Sequence, residues 1–279
     1  MSWMDFNKFR TEHLYLLFDK VKQESMSIFV PNELFKVING IDVPAEQKAF
    51  AYSMYFLVKL TNWKGKPLSI SKIKELWGYA PKNKSLNDLV KSGGLLDRHG
   101  VTRTVGATKT QHKEIALDVD PKRGFFKVNP EIMLFSMFES EKVGTIGFTI
   151  YMFLCKETQM QGKGKNIAKA SFTYIAGGTG LHRNTVENYI KSLEEIGLIK
   201  VIRGDSINNG EYGEFKRETN KYRINHDFNI FAYYNTGKIS SEPIAEQSQV
   251  EQRQEIKVSS KPTCFDMGGD DDFSWLYDD

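Results

Sequence analysis

The segment Thr179–Ile202, which reads TGLHRNTVENYIKSLEEIGLIKVI, constrains the fold more than any other part of the chain. Three of its apolar residues recur at i, i+4 and i+7, which places them on one stripe of an α-helix. These residues are Val186, Ile190 and Leu193. Gly197 follows as a helix cap, because a residue without a Cβ atom readily adopts the left-handed conformation. Leu198–Ile202 is rich in β-branched residues, so the segment predicts a helix with one buried face followed by a strand.

The other face of this predicted helix is polar, and its side chains are of the types that bind base edges in the DNA major groove. Arg183 can donate two hydrogen bonds to guanine or hold a phosphate, Asn184 or Asn188 can pair with adenine, and Glu187 can accept from cytosine. The candidate DNA-binding residues on the helix are His182, Arg183, Asn184, Thr185, Glu187, Asn188 and Lys191. The alternative is that the helix only packs within its own domain, and that the domain is used for contacts with other proteins.

A β-hairpin is predicted after this helix. Its strands are Leu198–Arg203 and Thr219–Ile224, and turn-forming residues occupy Gly204–Tyr212. The period-two alternation of the second strand turns Tyr222 and Ile224 inward and leaves the basic residues between them outside. Phosphate contacts set the register of a protein on DNA without reading sequence. The candidates for such contacts are Lys191, Arg203, Lys216, Arg217, Lys221 and Arg223.

The chain repeats one plan at an offset of about one hundred residues. Ile28–Phe35 and Phe126–Met133 each combine a β-prone piece, a proline and a helix start. A long apolar helix is predicted after each, over Pro44–Asn62 and Val143–Thr158, and two shorter helices and a Gly-Leu pair follow in both halves. The constant offset indicates a duplicated module.

The first half has its own predicted hairpin, over Leu95–Leu117. Between Asp97 and Glu114 it contains basic residues and no acidic residue, which favours contact with phosphates. The basic candidates in this half are Lys82, Lys84, Arg98, Arg103, Lys109 and Lys113. The same composition would also suit a mobile surface loop.

Charge divides the chain unequally, although the net formal charge is only +3. From Thr236 to Asp279 there are ten acidic and four basic residues, so this segment carries −6 and the rest of the chain +9. The positive charge of the segment before Thr236 favours binding to a polyanion. The alternative is that these charges only solvate the surface and that the acidic segment keeps the protein soluble. Residues 236–279 are too polar to bury a core and are predicted to be disordered.

Both termini carry aromatic residues. The acidic end holds Phe273, Trp275, Leu276 and Tyr277, which predict a docking peptide for a basic, grooved protein partner. At the other end, Trp3–Val21 has the pattern of an amphipathic helix, so residues 1–25 are predicted to form a helical arm for either dimerisation or packing.

The remaining features argue against other classes of protein. The cysteines Cys155 and Cys264 imply no disulfide framework, which favours a reducing cytoplasm, and Cys155 is predicted to be a core residue. The histidines have no metal-ligand spacing with either cysteine, and no nucleophile, base and acid occur in a catalytic pattern. The longest apolar run, Phe148–Cys155, is too short to span a bilayer, and there is no signal-peptide pattern. We therefore predict a cytoplasmic protein that is not an enzyme and has no cofactor, no metal and no membrane partner.

The stretch from Ser171 to Ile224 resembles a bacterial winged helix-turn-helix domain. The matching residues are Ile175, Ala176, Gly180, Leu181, Arg183, Asn184, Thr185, Val186, Ile190, Leu193, Glu194, Gly197, Leu198, Ile199, Asn220 and Tyr222. His182 stands where such helices usually have a Ser or Thr cap, and the first half has Pro81–Lys84 in place of an Arg/Thr cluster.

Two such modules in tandem are similar to replication initiator and replisome-organiser proteins of bacterial plasmids and phages. The resemblance implies a mainly α fold with small β-hairpin wings (α+β), with winged-helix domains over residues 26–120 and 121–235. It implies binding of double-stranded DNA at a replication origin, with partners recruited by the acidic end and association with the nucleoid or a plasmid. The alternatives are a winged-helix transcription regulator and a replisome scaffold that docks proteins without reading sequence.

Overall fold

Among the described residues, the first half of the chain forms one strand, then four helices and then two strands. The structure is a computed structural model that describes residues 27–63, 69–71, 73, 84–107, 111–136, 142–161, 166–204, 206–208, 215–217, 219–226 and 228. The first-half elements are β1 (Ile28–Pro31), α1 (Glu33–Asn39), α2 (Ala45–Trp63), α3 (Lys84–Val90), α4 (Leu95–Arg98), β2 (Thr102–Val105) and β3 (His112–Ile115).

The second half contains a larger, three-stranded sheet. Its elements are β4 (Phe125–Val128), α5 (Pro130–Leu134), α6 (Gly144–Gln161), β5 (Ile167–Lys169), α7 (Phe172–Thr179), α8 (Arg183–Ile196), β6 (Ile199–Ile202), β7 (Ser206–Asn208), β8 (Phe215–Arg217) and β9 (Lys221–Ile224). The prediction of a mixed fold of helices and small antiparallel sheets is confirmed.

The two long apolar helices, α2 and α6, pack against each other in the core. Each lies within a few residues of its predicted bounds. The Phe56 ring of α2 and the Phe148 ring of α6 meet edge to face with centroids 5.1 Å apart. The Phe35 ring of α1 meets the Phe153 ring of α6 in the same way at 5.2 Å. Cys155 is buried on α6, as predicted. Among the described residues, no helix has the length and apolar character needed to cross a bilayer.

The two β-prone pieces of the repeated plan pair with each other. β1 and β4 form a two-stranded antiparallel ribbon in which Ile28 lies opposite Val128 and Pro31 lies opposite Phe125. The alternate residues Ile28, Val30, Phe126 and Val128 are buried. Pro130 then begins α5, and the Asn129 side chain caps it by accepting the Glu131 N–H at 2.8 Å.

Packing crosses the boundary that the sequence placed between residues 120 and 121. β1 lies before that boundary and β4 after it, and α2 and α6 come from opposite sides as well. All described residues belong to one compact unit. The two halves therefore share a core, because each supplies one strand of the ribbon and one of the long helices.

A three-stranded antiparallel sheet follows α6 in the order β5–β9–β6. Lys200 of β6 lies opposite Arg223 of β9. Tyr222 and Ile224 are buried, which confirms the predicted alternation of this strand. The segment between β6 and β9 differs from the predicted turn, because β7 and β8 form a further ribbon within it.

The first-half hairpin also differs from its prediction at one end. Leu95–Arg98 forms the short helix α4 rather than the start of a strand, and only β2 and β3 pair as a hairpin. The predicted N-terminal arm and the acidic segment 236–279 lie outside the described residues.

Candidate nucleic-acid interface

The helix pair α7 and α8 is joined by a tight turn at Gly180, whose φ angle of +70° is one that side chains with a Cβ atom rarely adopt. Ser171 begins the unit by accepting the Tyr174 N–H at 3.1 Å. Gly197 ends α8 with a φ angle of +87°, as its predicted role as a cap requires. The local sequence therefore fixes both ends of α8, the helix that carries the largest group of candidate residues.

The first half of the chain holds the turn before α8 in place. The Asn39 Nδ2 group, at the end of α1, donates to the Gly178 carbonyl at 2.7 Å, and the Asn39 Oδ1 atom accepts the Tyr52 hydroxyl at 3.1 Å. A Cβ atom on Gly178 would lie 2.2 Å from the Phe153 ring, and one on Gly180 would lie 2.8 Å from Asn39 Oδ1. The turn thus fits closely against α1 and α6.

α8 has the two faces that its sequence predicts. Val186, Ile190 and Leu193 are buried, and Ile196 joins them. On the rest of the helix, Glu187 and Thr185 are half-buried. The exposed candidates are His182, Arg183, Asn184, Asn188 and Lys191. His182 also has a structural task, since its Nδ1 atom accepts the Asn184 N–H at 3.3 Å and so caps the helix.

An open groove of about 350 Å³ lies between α8, the start of α7 and the three-stranded sheet. Residues from all three elements line it, including four predicted DNA-binding residues. These four are Arg183, Glu187, Lys191 and Arg203. The structure therefore brings together side chains that the sequence separates by up to twenty residues.

Acidic side chains neutralise part of the charge in this groove. Lys191 Nζ lies 3.3 Å from Glu187 Oε1, and Arg203 Nη2 lies 3.7 Å from Glu194 Oε2. Glu194 also accepts the Val201 N–H at 3.1 Å, which ties α8 to β6. Both ion pairs are solvent-exposed, and such pairs contribute about 1 kcal/mol or less. A phosphate can therefore compete for these cations.

Glu194 is a residue of this groove that sequence reasoning missed as a site residue. Its spacing carried the signal: Glu194 lies three residues after Lys191 and seven after Glu187, on the same side of the helix. Glu195 instead faces Lys142, with 3.3 Å between the charged atoms.

The outer face of the three-stranded sheet is basic. Lys221 and Arg223 of β9 lie on it, and the register places Lys169 of β5 opposite Lys221 and Lys200 of β6 opposite Arg223. None of the three strands contains an acidic residue. Lys169 and Lys200 were missed by sequence reasoning, although Lys200 stands between the apolar Ile199 and Val201 in an alternating strand. The other predicted residues of this hairpin, Lys216 and Arg217, lie on β8.

The basic residues of the first-half hairpin have a different environment. Lys113 is fully buried, and its ammonium lies 2.6 Å from Asp97 Oδ1 and 2.7 Å from the Thr104 hydroxyl. Burial raises the pKa of Asp97, but the hydrogen bonds from Lys113, Thr104 and Thr102 outweigh burial and lower it overall. The prediction that Lys113 contacts phosphate is therefore corrected, since a buried and paired ammonium is not available to DNA.

The other first-half candidates are dispersed. Arg103 is exposed, but its guanidinium lies 2.8 Å from Glu114 Oε2, and this contact lowers the pKa of Glu114. Arg98 is exposed at the end of α4, and Lys84 begins α3. Lys82 and Lys109 lie outside the described residues, as do the predicted partner-binding residues Phe273, Trp275, Leu276 and Tyr277.

The described residues contain no group of three or more His, Cys, Asp or Glu side chains placed to hold a metal ion. Burial raises the pKa of the Cys155 thiol to about 12, so this sulfur is a core atom rather than a nucleophile. Comparisons with protein families, curated proteins and solved structures found no match to this chain.

Proposed function

We propose that this protein binds double-stranded DNA through a winged helix-turn-helix unit formed by residues 171–224. In this proposal α8 reads bases in the major groove, and the hairpin of β6 and β9 serves as the wing. The observation that carries the proposal is the continuity of the exposed polar face of α8 with the groove that also holds Arg203. Arg183, Asn184 and Asn188 are the side chains chemically suited to base edges.

The dimensions of α8 support this use. A helix with its side chains is about 10–12 Å wide and the major groove is about 12 Å wide, so a helix fits when one of its faces is free. The buried stripe of α8 faces the protein core, and Arg183, Asn184 and Asn188 on its other side are exposed. The basic outer face of the sheet adds cations that would hold DNA phosphates beside the major groove.

A titration with variants tests base reading. The preferred duplex is first selected from a random-sequence library, and its affinity and that of random duplexes are then measured by fluorescence anisotropy at several salt concentrations. Arg183→Ala is expected to weaken binding to the selected site by roughly 1–3 kcal/mol and to relax specificity there. Arg123→Ala is the matched control, because Arg123 is an exposed arginine that pairs with Glu33, away from α8. An equal loss on random duplexes would contradict base reading.

We further propose that the duplex target is a replication origin of a bacterial plasmid, phage or other mobile element. The support for this role is the tandem plan of the sequence and its resemblance to initiator proteins. A genome-wide map of bound positions tests it: one peak at an origin is expected, whereas peaks at promoters would indicate a transcription regulator. A scaffold that docks proteins would bind neither selected nor random duplexes.

The acidic end is proposed to recruit a protein partner. Deleting Gly268–Asp279 should leave the affinity for duplex DNA unchanged, because the deleted segment carries acidic and aromatic rather than basic residues. Partner capture, measured by co-purification with the intact and the truncated chain, should be lost. A large defect in DNA binding would show that the segment has another role.

A further inference from the structure

A second exposed surface lies on the ribbon formed by β1 and β4. Because residues alternate across a strand, the side chains between the buried residues of this ribbon project from its other face. Phe29 is 40% exposed and Phe125 is 37% exposed, and Lys127 is exposed beside them. Among the described residues, four large hydrophobic side chains are exposed, and two of the four are these neighbouring rings.

The two rings and the ammonium form one cluster. The Phe29 and Phe125 centroids are 5.3 Å apart with the ring planes at 71°, and Lys127 Nζ lies 5.1 Å from the Phe29 centroid. Gln159 accepts the Lys127 backbone N–H at 3.2 Å, which anchors this edge of the ribbon to the end of α6. The cluster is therefore held on paired strands rather than on a loop.

The two acidic residues that flank this cluster in the sequence are both paired with an arginine. Glu33 follows β1 and Asp120 precedes β4, but both carboxylates lie against Arg123, at 3.0 Å and 3.3 Å respectively. Lys127 thus adds a cation to an aromatic surface whose flanking acids are already paired. An apolar partner would have to bury the Lys127 ammonium without compensation, which is costly. A partner that carries both flat rings and negative charge can contact the two phenylalanine rings and the Lys127 ammonium at the same time.

We propose that the surface of Phe29, Phe125 and Lys127 binds single-stranded nucleic acid. Exposed aromatic rings stack on unpaired bases and an adjacent cation binds the backbone, which is how proteins hold single strands without reading sequence. A duplex offers no such contact, because its bases are already stacked inside. This activity is separate from the duplex binding proposed for α8, and the two surfaces use different residues.

The test uses the full chain and a fluorescently labelled oligothymidylate of about 15 nucleotides, a length within the range that single-strand binding modules cover. The double substitution Phe29→Leu and Phe125→Leu keeps apolar side chains but removes both rings. It is expected to weaken oligothymidylate binding at least tenfold while duplex affinity stays unchanged. Arg183→Ala should show the reverse pattern, so that failure of this proposal and failure of the duplex proposal are distinguished.

Two further variants cover the case in which the leucine variant is unstable, which a thermal melt would reveal. Phe125→Trp preserves a stacking surface and should retain affinity, and its added fluorescence should be quenched by oligothymidylate but not by duplex. Lys127→Ala should lower the slope of log affinity against log salt by about 0.7. The proposal is overturned if the parent protein does not bind oligothymidylate, if a folded leucine variant keeps full affinity, or if both the quenching and the change in slope are absent. Binding of a protein at these rings, without affinity for the oligonucleotide, would likewise overturn it.

Discussion

Two hairpins of this chain, β2–β3 and β6–β9, are rich in basic residues, but the basic residues have opposite environments in the two. In the first half, Lys113 is buried against Asp97 and Arg103 lies against Glu114. In the second half, Lys200 and Arg223 lie opposite each other on the exposed face of a sheet whose strands contain no acidic residue. Both hairpins carry several basic residues, so burial and the carboxylate contacts are what distinguish Lys113 and Arg103 from the exposed Lys200 and Arg223.

This difference separates structural charge from charge that is available to a ligand. A buried lysine bound by a carboxylate stabilises the structure around it and contributes little to the surface potential. An exposed lysine on the outer face of a strand, such as Lys200, can present its charge to a phosphate. Asp97 on α4 and Glu114 on β3 therefore matter more than the absence of acidic residues between them.

The largest expected effect is on the stability of the first hairpin. Asp97→Ala should lower the free energy of unfolding by roughly 3–5 kcal/mol, because it leaves the Lys113 ammonium buried without a counter-charge. Urea denaturation measures the loss. Glu114→Ala is the matched control in the same hairpin, and it should cost about 1 kcal/mol or less because its partner Arg103 is exposed. Similar losses in both variants would mean that the Asp97–Lys113 pair is not a structural charge pair.

The next effect concerns how the first half supports the second. Asn39→Leu removes the hydrogen bond to the Gly178 carbonyl and should cost roughly 1–3 kcal/mol of stability. Duplex affinity, measured by anisotropy at a temperature where the variant is folded, should also fall because the turn before α8 loses its anchor. Lys36→Ala, an exposed change on the same helix, is the control. Unchanged duplex affinity would show that α8 is positioned by its own half alone.

The smallest effect separates the two hairpins by their salt dependence. Replacing Lys221 and Arg223 with alanine should weaken all duplexes alike. It should also lower the slope of log affinity against log salt by about two, since each phosphate contact contributes about 0.9. The same change at Arg98 and Arg103 should lower the slope by less than one, because Glu114 already holds Arg103. Equal changes in slope would remove the distinction between the hairpins.

Local patterns predicted the elements around α8 well. The stripe of Val186, Ile190 and Leu193 and the cap at Gly197 gave the helix and its end, because burial periodicity and cap conformation are properties of neighbouring residues. The alternation around Tyr222 predicted the faces of β9 for the same reason. The pattern of apolar residues also predicted the two long helices, α2 and α6.

Contacts between distant residues were not predictable in this way. Nothing in Ile28–Pro31 specifies that it pairs with Phe125–Val128, since a short β-prone piece is compatible with many partners. The bond from Asn39 to Gly178 joins residues 139 positions apart. Lys113 was misassigned for a related reason: its burial depends on Asp97 and on the packing of β3 against neighbouring helices.

The sequence by itself determined where α2, α6 and α8 lie, which face of α8 is polar, and that the chain carries a basic body and an acidic end. These properties follow from residue spacing and composition. Only the tertiary structure decided that the two halves share one core, that Asn39 anchors the turn before α8, and which cations remain exposed. Those outcomes depend on which distant surfaces pack together, and packing of that kind is a property of the whole chain rather than of any segment.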